Sequence, residues 1–184
     1  MNLYIYTFHR FHPFFILNIN NKQLNYSNTK INKLISIKWQ LILKNEGSFT
    51  KALNALTGKK IKVKMSQKYN YKCKNISRNI RCVWLENSLY TKLIFARSLW
   101  LFIYNNNINI ELIKNRPVGN SFIEHEIDIY RNIHELYYGY SEYLEKNFIR
   151  HQAIWGRKYT LYYSYNSYVI IQEFFSPYIV NLFN

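Results

Sequence analysis

Acidic residues are scarce in this chain. Ten Asp and Glu stand against 25 Lys and Arg, a formal net charge of +15 at pH 7. The first acid arrives only after Ile37. Such an excess ordinarily points to nucleic acid or an anionic membrane surface. Its distribution argues otherwise. The lysines are spread along the chain rather than gathered in one run, and the wealth of Asn, Lys, Ile, Tyr and Phe is what AT-rich codons produce. We therefore expect no nucleic-acid partner, although a positive field still draws small dianions.

Cysteine is nearly absent. Cys73 and Cys82 are too few and wrongly spaced for a zinc set, and the sequence leaves open whether they pair. No apolar run approaches a membrane span; the best, Leu89–Tyr104, is broken by Lys92 and Arg97. A Gly-rich phosphate loop, a GxSxG elbow and an HExxH helix are all missing. His9 and His12 have no third ligand in view, and His125 and His134 are not spaced as a metal pair. An enzyme built on this chain is expected to work without metal or nucleotide cofactor.

What is present is a core-forming chain: 48% of the 184 residues are hydrophobic, enough for one domain. Residues 1–37 read as a variable, basic, partly disordered lead-in, with the domain over 38–184. Trp39–Leu43 reads as a strand. Ser48 is a good N-cap for a helix carrying Phe49, Ala52, Leu53 and Leu56, which Gly58 ends. Free N–H groups at that N-terminus suit a carboxylate, although taken alone they are better explained by an ordinary capped helix. Ile61–Met65 alternates as a half-buried strand, and Asn70–Arg78 reads as loop.

Two hairpins follow from alternation. In the first, a bend at Glu86-Asn87-Ser88 joins Ile80–Leu85 to Leu89–Leu99. That bend puts Arg81 and Arg97 on one apolar face. An anionic ligand would explain two arginines there; snorkelling at a sheet edge would do so too. In the second, a bend at Tyr165-Asn166-Ser167 joins Lys158–Ser164 to Tyr168–Phe175. Glu173 then lies opposite Tyr159 and diagonal to Arg157, all on one face; a two-residue bend at Asn166-Ser167 would flip that parity. A buried carboxylate is costly unless paired, so Glu173 is either half of a structural salt bridge or an acid/base group beside a cation. Between the hairpins, Ser121–Glu124 matches a capping box. Ile123, Ile127, Tyr130, Ile133 and Tyr137 then mark a helix face ending near Gly139, with a shorter helix over Ser141–Ile149. Strand-rich hairpins with a few helices point to an α+β domain on an antiparallel sheet.

At this point the chain resembles the chorismate–pyruvate lyase (4-hydroxybenzoate synthase) family, in its cyanobacterial and red-algal plastid form. The resemblance runs from Trp39 to Pro177. It is carried by Trp39-Gln40, Asn45–Thr50, Leu56-Thr57-Gly58, Arg81–Leu85 with Ala96-Arg97-Ser98, Arg116–Gly119, Tyr137–Tyr140, and Trp155-Gly156-Arg157 running to Glu173–Pro177. It implies a sheet of about six antiparallel strands with helices and an enclosed pocket. It also implies cofactor-free conversion of chorismate to 4-hydroxybenzoate and pyruvate, in the plastid stroma. Carried over by residue, Arg81 clamps the ring carboxylate, assisted by N–H groups at Phe49 and around Val118-Gly119. Glu173 sits beside the ring hydroxyl. Arg97 and Arg157 serve the enolpyruvyl carboxylate or hold Glu173. Asn120 departs from the enterobacterial form, which carries Arg there. The alternative on the same fold is a non-catalytic domain that senses small aromatic acids, as in some transcription regulators; no helix-turn-helix precedes this one. A basic RNA- or membrane-associated protein rests on charge alone.

Overall fold

A computed structural model describes residues 3–6, 9–19, 34–45, 47–73, 76–87, 89, 91–103, 130–164 and 167–183. Eight strands are β1 (Leu3–Tyr6), β2 (His9–Asn18), β3 (Lys62–Cys73), β4 (Ile76–Glu86), β5 (Lys92–Ile103), β6 (Tyr130–Tyr140), β7 (Ile154–Ser164) and β8 (Ser167–Phe175). They form one sheet in the order β1-β2-β6-β7-β8-β5-β4-β3. All neighbours are antiparallel. Seven long strands make the body of the sheet and short β1 extends its β2 edge, so the α+β class holds with more strands than six.

Three helices and a final 3-10 turn complete the fold: α1 (Ile37–Lys44), α2 (Phe49–Thr57), α3 (Glu142–Phe148) and Pro177–Leu182. Ser48 caps α2 by accepting from the Lys51 amide, and Gly58 ends it in the left-handed region at φ 62°. Both features follow from side-chain chemistry alone. Trp39–Leu43 lies in α1 rather than in a strand. Its apolar run is short enough to serve either element, and burial of Ile42 and Leu43 together, with Leu41 exposed, fits a helix.

The segment Tyr130–Tyr140 is strand β6, not the end of a long helix. It pairs with β2 on one side and β7 on the other. A bulge between Ile133 and Glu135 sets Ile133 opposite Tyr159 and Leu136 opposite Arg157. Two residues three apart thus reach the same sheet face, which imitates helical spacing. The capping box at Ser121–Glu124, the Tyr104–Asn109 loop and the Arg116–Gly119 turn lie outside the described residues. Asn70–Arg78 is mostly strand, because β3 runs to Cys73 and β4 begins at Ile76.

Part of the presumed lead-in, His9–Asn18, forms β2 and joins the sheet beside β6. Gly139 permits the approach. A Cβ there would stand 2.2 Å from the His12 carbonyl oxygen and 2.7 Å from the Pro13 Cα.

The sheet divides the core in two. One face packs Ile42, Leu43, Phe49 and Leu53 of the helical layer against Leu85, Ile94, Trp155 and Phe175. The other packs Leu144 and Phe148 of α3 against Trp84, Phe95, Tyr137 and Phe174, with Phe11. Cys82 sits on this second face as a free, buried thiol. Burial pushes it up to about 11, opposed in part by Arg97.

Three outcomes are expected. Gly139→Ala should lower stability by about 1–3 kcal/mol, since β2 has no room to yield without losing its ladder; an unchanged urea midpoint would mean that β2 does not dock. Cys82 in the native protein should resist iodoacetamide at pH 8.5 and react readily once unfolded, as read by mass spectrometry of its peptide. The raised thiol also predicts a stability contribution that is complete below about pH 9 and is lost as pH rises toward 11.

Candidate functional site

Between the helical layer and the sheet lies a cavity of about 80 Å³. A single water needs roughly 10–15 Å³, so this is not a packing flaw. Its floor is laid by alternation. Arg81, Val83 and Leu85 of β4 point in beside Ala96 and Ser98 of β5. Ile171 and Glu173 of β8 continue the floor, with Tyr159 and Leu161 of β7. Val63 and Arg131 close the sides, and Ser48-Phe49-Thr50 at the start of α2 form the roof. Strand spacing puts the Arg81 and Glu173 strands about 10 Å apart, within the joint reach of their side chains.

Arg157 and Glu173 are direct cross-strand partners. The register differs from the one expected, in which Tyr159 faced Glu173. Ser164 pairs with Ser167, leaving two residues in the bend, and an irregularity between Tyr162 and Ser164 restores the parity that a two-residue bend alone would have reversed. Arg157, Tyr159 and Glu173 therefore do share a face. Gly156 makes room: a Cβ there would lie 2.8 Å from the Glu173 carbonyl oxygen and the Phe174 ring.

Both carboxylate oxygens of Glu173 are engaged. Arg157 Nε donates to Oε2 at 2.7 Å and the Tyr159 hydroxyl donates to Oε1 at 3.0 Å. Arg157 is fully buried. Its Nη1 donates to the carbonyls of Ile42, Leu43 and Asn45 at 3.3, 3.1 and 2.9 Å. Carbonyls at the end of a helix are short of backbone donors, although Ile42 O also accepts from the Asn45 amide at 3.4 Å, and the cation meets the negative end of the α1 dipole. The rings of Phe49, Tyr159 and Phe175 surround the guanidinium at 5.6, 5.1 and 5.5 Å. Burial alone would lower the Arg157 pKa; Glu173 and Tyr159 outweigh it and raise it. Burial, aided by Glu173, holds the Tyr159 phenol well above its ordinary value. Arg81, also buried, is lowered by desolvation.

The structure thus brings Arg81, Phe49 and Glu173 to one cavity, with Arg157 behind Glu173 rather than in the lining. It does not bring Arg97 there. Residues 87–91 separate the Glu86–Lys92 pair, with Asn87 Oδ1 accepting from the amides of Leu89 and Thr91. That longer turn by itself keeps the expected parity, and an irregularity between Leu85 and Glu86 adds the one residue that reverses it. Arg97 then pairs with Cys82 while Arg81 pairs with Ser98, and the two arginines face opposite sides of the sheet. Val118 and Gly119 lie outside the described residues. Five polar lining residues are not among the expected site residues: Ser48, Thr50, Ser98, Arg131 and Tyr159. Alternation from Glu173 would have found Tyr159. Arg131 was hidden by the helical reading of its segment. Among the described residues no cluster of three metal-ligating side chains occurs, and no helix is long and apolar enough to cross a membrane.

This antiparallel sheet carries a pocket lined by the guanidinium groups of Arg81 and Arg131 and the carboxylate of Glu173, the architecture of a small-molecule-binding α+β domain. The chorismate pyruvate-lyase family described as "Chorismate pyruvate-lyase Rv2949c-like" matches residues 43–183, and the chain belongs to that family. Its relatives include the "Uncharacterized protein ycf21" of Antithamnion sp., 46% identical over 162 residues that cover 88% of this chain and 89% of the relative. The ycf21 proteins of Porphyra purpurea and Cyanophora paradoxa are 38% and 33% identical, over 82% and 90% of this chain and 87% and 90% of theirs.

Removing the cation from this arrangement should be costly. Arg157→Met leaves the Glu173 carboxylate buried beside unpaired helix carbonyls, and should lower stability by about 3–5 kcal/mol. Adding Glu173→Leu to the same chain should recover a large part of that loss in urea unfolding. A single variant no weaker than wild type would refute the central role given to Arg157.

Proposed function

We propose that the protein converts chorismate to 4-hydroxybenzoate and pyruvate. The observation that carries this reading is a buried arginine, Arg81, and a buried carboxylate, Glu173, in one pocket roofed by the start of a helix. In this reading Arg81 receives the ring carboxylate in a bidentate pair, and the free N–H groups at Phe49 and Thr50 assist it. Glu173 accepts a hydrogen bond from the ring hydroxyl on a lone pair that Arg157 and Tyr159 leave open, since each carboxylate oxygen has two.

The reaction then needs little from the protein. The ring carbon bearing the hydroxyl loses its proton, and that C–H electron pair completes the aromatic ring as the neighbouring ether C–O bond breaks. Enolpyruvate departs with the bonding pair and takes up a proton to become pyruvate. Aromatisation drives the step, so fixing the substrate conformer and modest acid/base help suffice. No redox partner is required. The red-algal and glaucophyte relatives favour a plastid stroma setting, where 4-hydroxybenzoate would serve quinone synthesis.

One observation favours a second reading. Both Glu173 oxygens are already bonded within the protein, as expected of a structural acid in a domain that binds an aromatic acid without turning it over.

Incubating the protein with chorismate separates the two. The lyase should release 4-hydroxybenzoate, followed by its ultraviolet absorbance, with one pyruvate per ring, followed by coupled reduction to lactate. Glu173→Gln should lower kcat by roughly 10²–10⁴-fold. Tyr159→Phe, gentler on the fold, should lower kcat while leaving chorismate binding nearly unchanged. Tight binding with no product from folded wild type would transfer the site to the binding reading.

A further inference from the structure

The substrate class proposed above carries two carboxylates, and one cavity must then offer two cationic groups. Arg97 is on the other face of the sheet. Arg157 is fully buried, outside the lining, and committed to Glu173 and three backbone carbonyls. Among the described residues, Arg131 is the other guanidinium that lines the cavity together with Arg81. We infer that Arg131 is the specificity residue for the second carboxylate of a dicarboxylate ligand, an inference that rests on the small-acid reading of this cavity.

The geometry of Arg131 carries this assignment. Its Cζ lies 4.5 Å from the centre of the Tyr159 ring, the same tyrosine whose hydroxyl reaches Glu173. The stacked guanidinium is thereby fixed in plane and stands one side chain from the reacting end of the cavity. Nη1 donates to the Asn45 carbonyl at 2.8 Å. Nη2 makes only a long contact, 3.5 Å, to the Gly47 carbonyl. Nε is buried and has no hydrogen-bond partner. A guanidinium has five donors in a rigid fork. Here the edge made by Nε and Nη2 is the one held least, and that edge matches a carboxylate side-on in a bidentate pair. Nη1 can keep Asn45 while the edge takes the ligand.

The roof of the cavity is tied to the same residue. Asn45 O receives both Arg131 and Arg157, so the α1–α2 junction rests on two guanidinium groups. A carboxylate on the Nε–Nη2 edge would draw on the weak Gly47 contact and leave the strong one intact. Arg131 therefore selects for the second negative charge without opening the roof.

Binding measurements on Arg131→Met and Arg131→Lys test this, with chorismate as dicarboxylate and 4-hydroxybenzoate as monocarboxylate. Loss of a bidentate charged pair should weaken chorismate by roughly 10–100-fold. The monocarboxylate, held by the Arg81 end, should change less than about threefold, and Arg131→Lys should recover only part of the chorismate loss because an ammonium cannot form the fork. Urea midpoints report any collapse of the roof separately. Equal weakening of both ligands, or no weakening of chorismate, overturns the assignment whether or not wild type turns chorismate over. A selective loss of chorismate affinity in a protein that yields no product upholds Arg131 and removes the lyase reading alone. Wild type that binds neither ligand removes both.

Discussion

The Arg157–Glu173 pair is the constraint on which the rest of this structure depends. A buried ion pair by itself is weak evidence of stability, since desolvation offsets much of its attraction. This pair does more than attract. Its cation also holds the α1 C-terminus, binding three carbonyls where backbone donors run short. Sheet and helical layer are therefore joined through one guanidinium. The pair also fixes the β7–β8 register, because a slip of one residue would carry Arg157 and Glu173 to opposite faces and bury both charges alone. Specificity of register, more than net energy, is what such an arrangement supplies.

That register decides where chemistry can occur. Counted across the sheet, Val83, Ala96, Glu173, Arg157 and Leu136 form one transverse row on the helical side. Arg81, Ser98, Ile171, Tyr159 and Ile133 form the next. The charged residues of neighbouring rows thus converge, while the intervening small or apolar positions Ala96, Ser98 and Val83 leave the space between them. On the far side the corresponding row is Cys82, Arg97, Gln172, Lys158 and Glu135. There Lys158 pairs with Glu135 at 3.2 Å, half exposed, an arrangement worth little and open to water. The same residue types thus have different consequences on the two faces, and alternation alone allots them.

How much of this was legible depends on whether a signal was local. The cap at Ser48 and the glycine at Gly58 use short-range chemistry, and α2 emerges as read. The shared face of Arg157, Tyr159 and Glu173 also emerges, though through a bulge and a shorter bend whose parities cancel. Arg97 takes the opposite face because of a bulge: the turn between Glu86 and Lys92 alone keeps the expected parity, and the extra residue between Leu85 and Glu86 reverses it. Tyr130–Tyr140 departs for a related reason. Tyr130, Ile133 and Tyr137 fit a helix template, yet in the strand Ile133 faces Tyr159 on the helical side while Tyr137 packs on the other face. Strand character there is conferred by tertiary pairing, which no window along the chain contains. Arg131 was lost with it.

The electrostatics then bear on what the cavity can accept. Burial lowers Arg81 and, acting alone, would lower Arg157; Arg157 recovers its charge preference from Glu173. Desolvating a guanidinium is costly, and an anion that enters the same pocket offsets that cost while displacing the water that would screen it. A neutral aromatic ligand would leave the penalty standing, and a cation would add to it. The long-range field points the same way: a chain of +15 raises the local concentration of small anions at every approach. Cavity and surface therefore agree in sign, and a small anion satisfies both more fully than any ligand of the other charge.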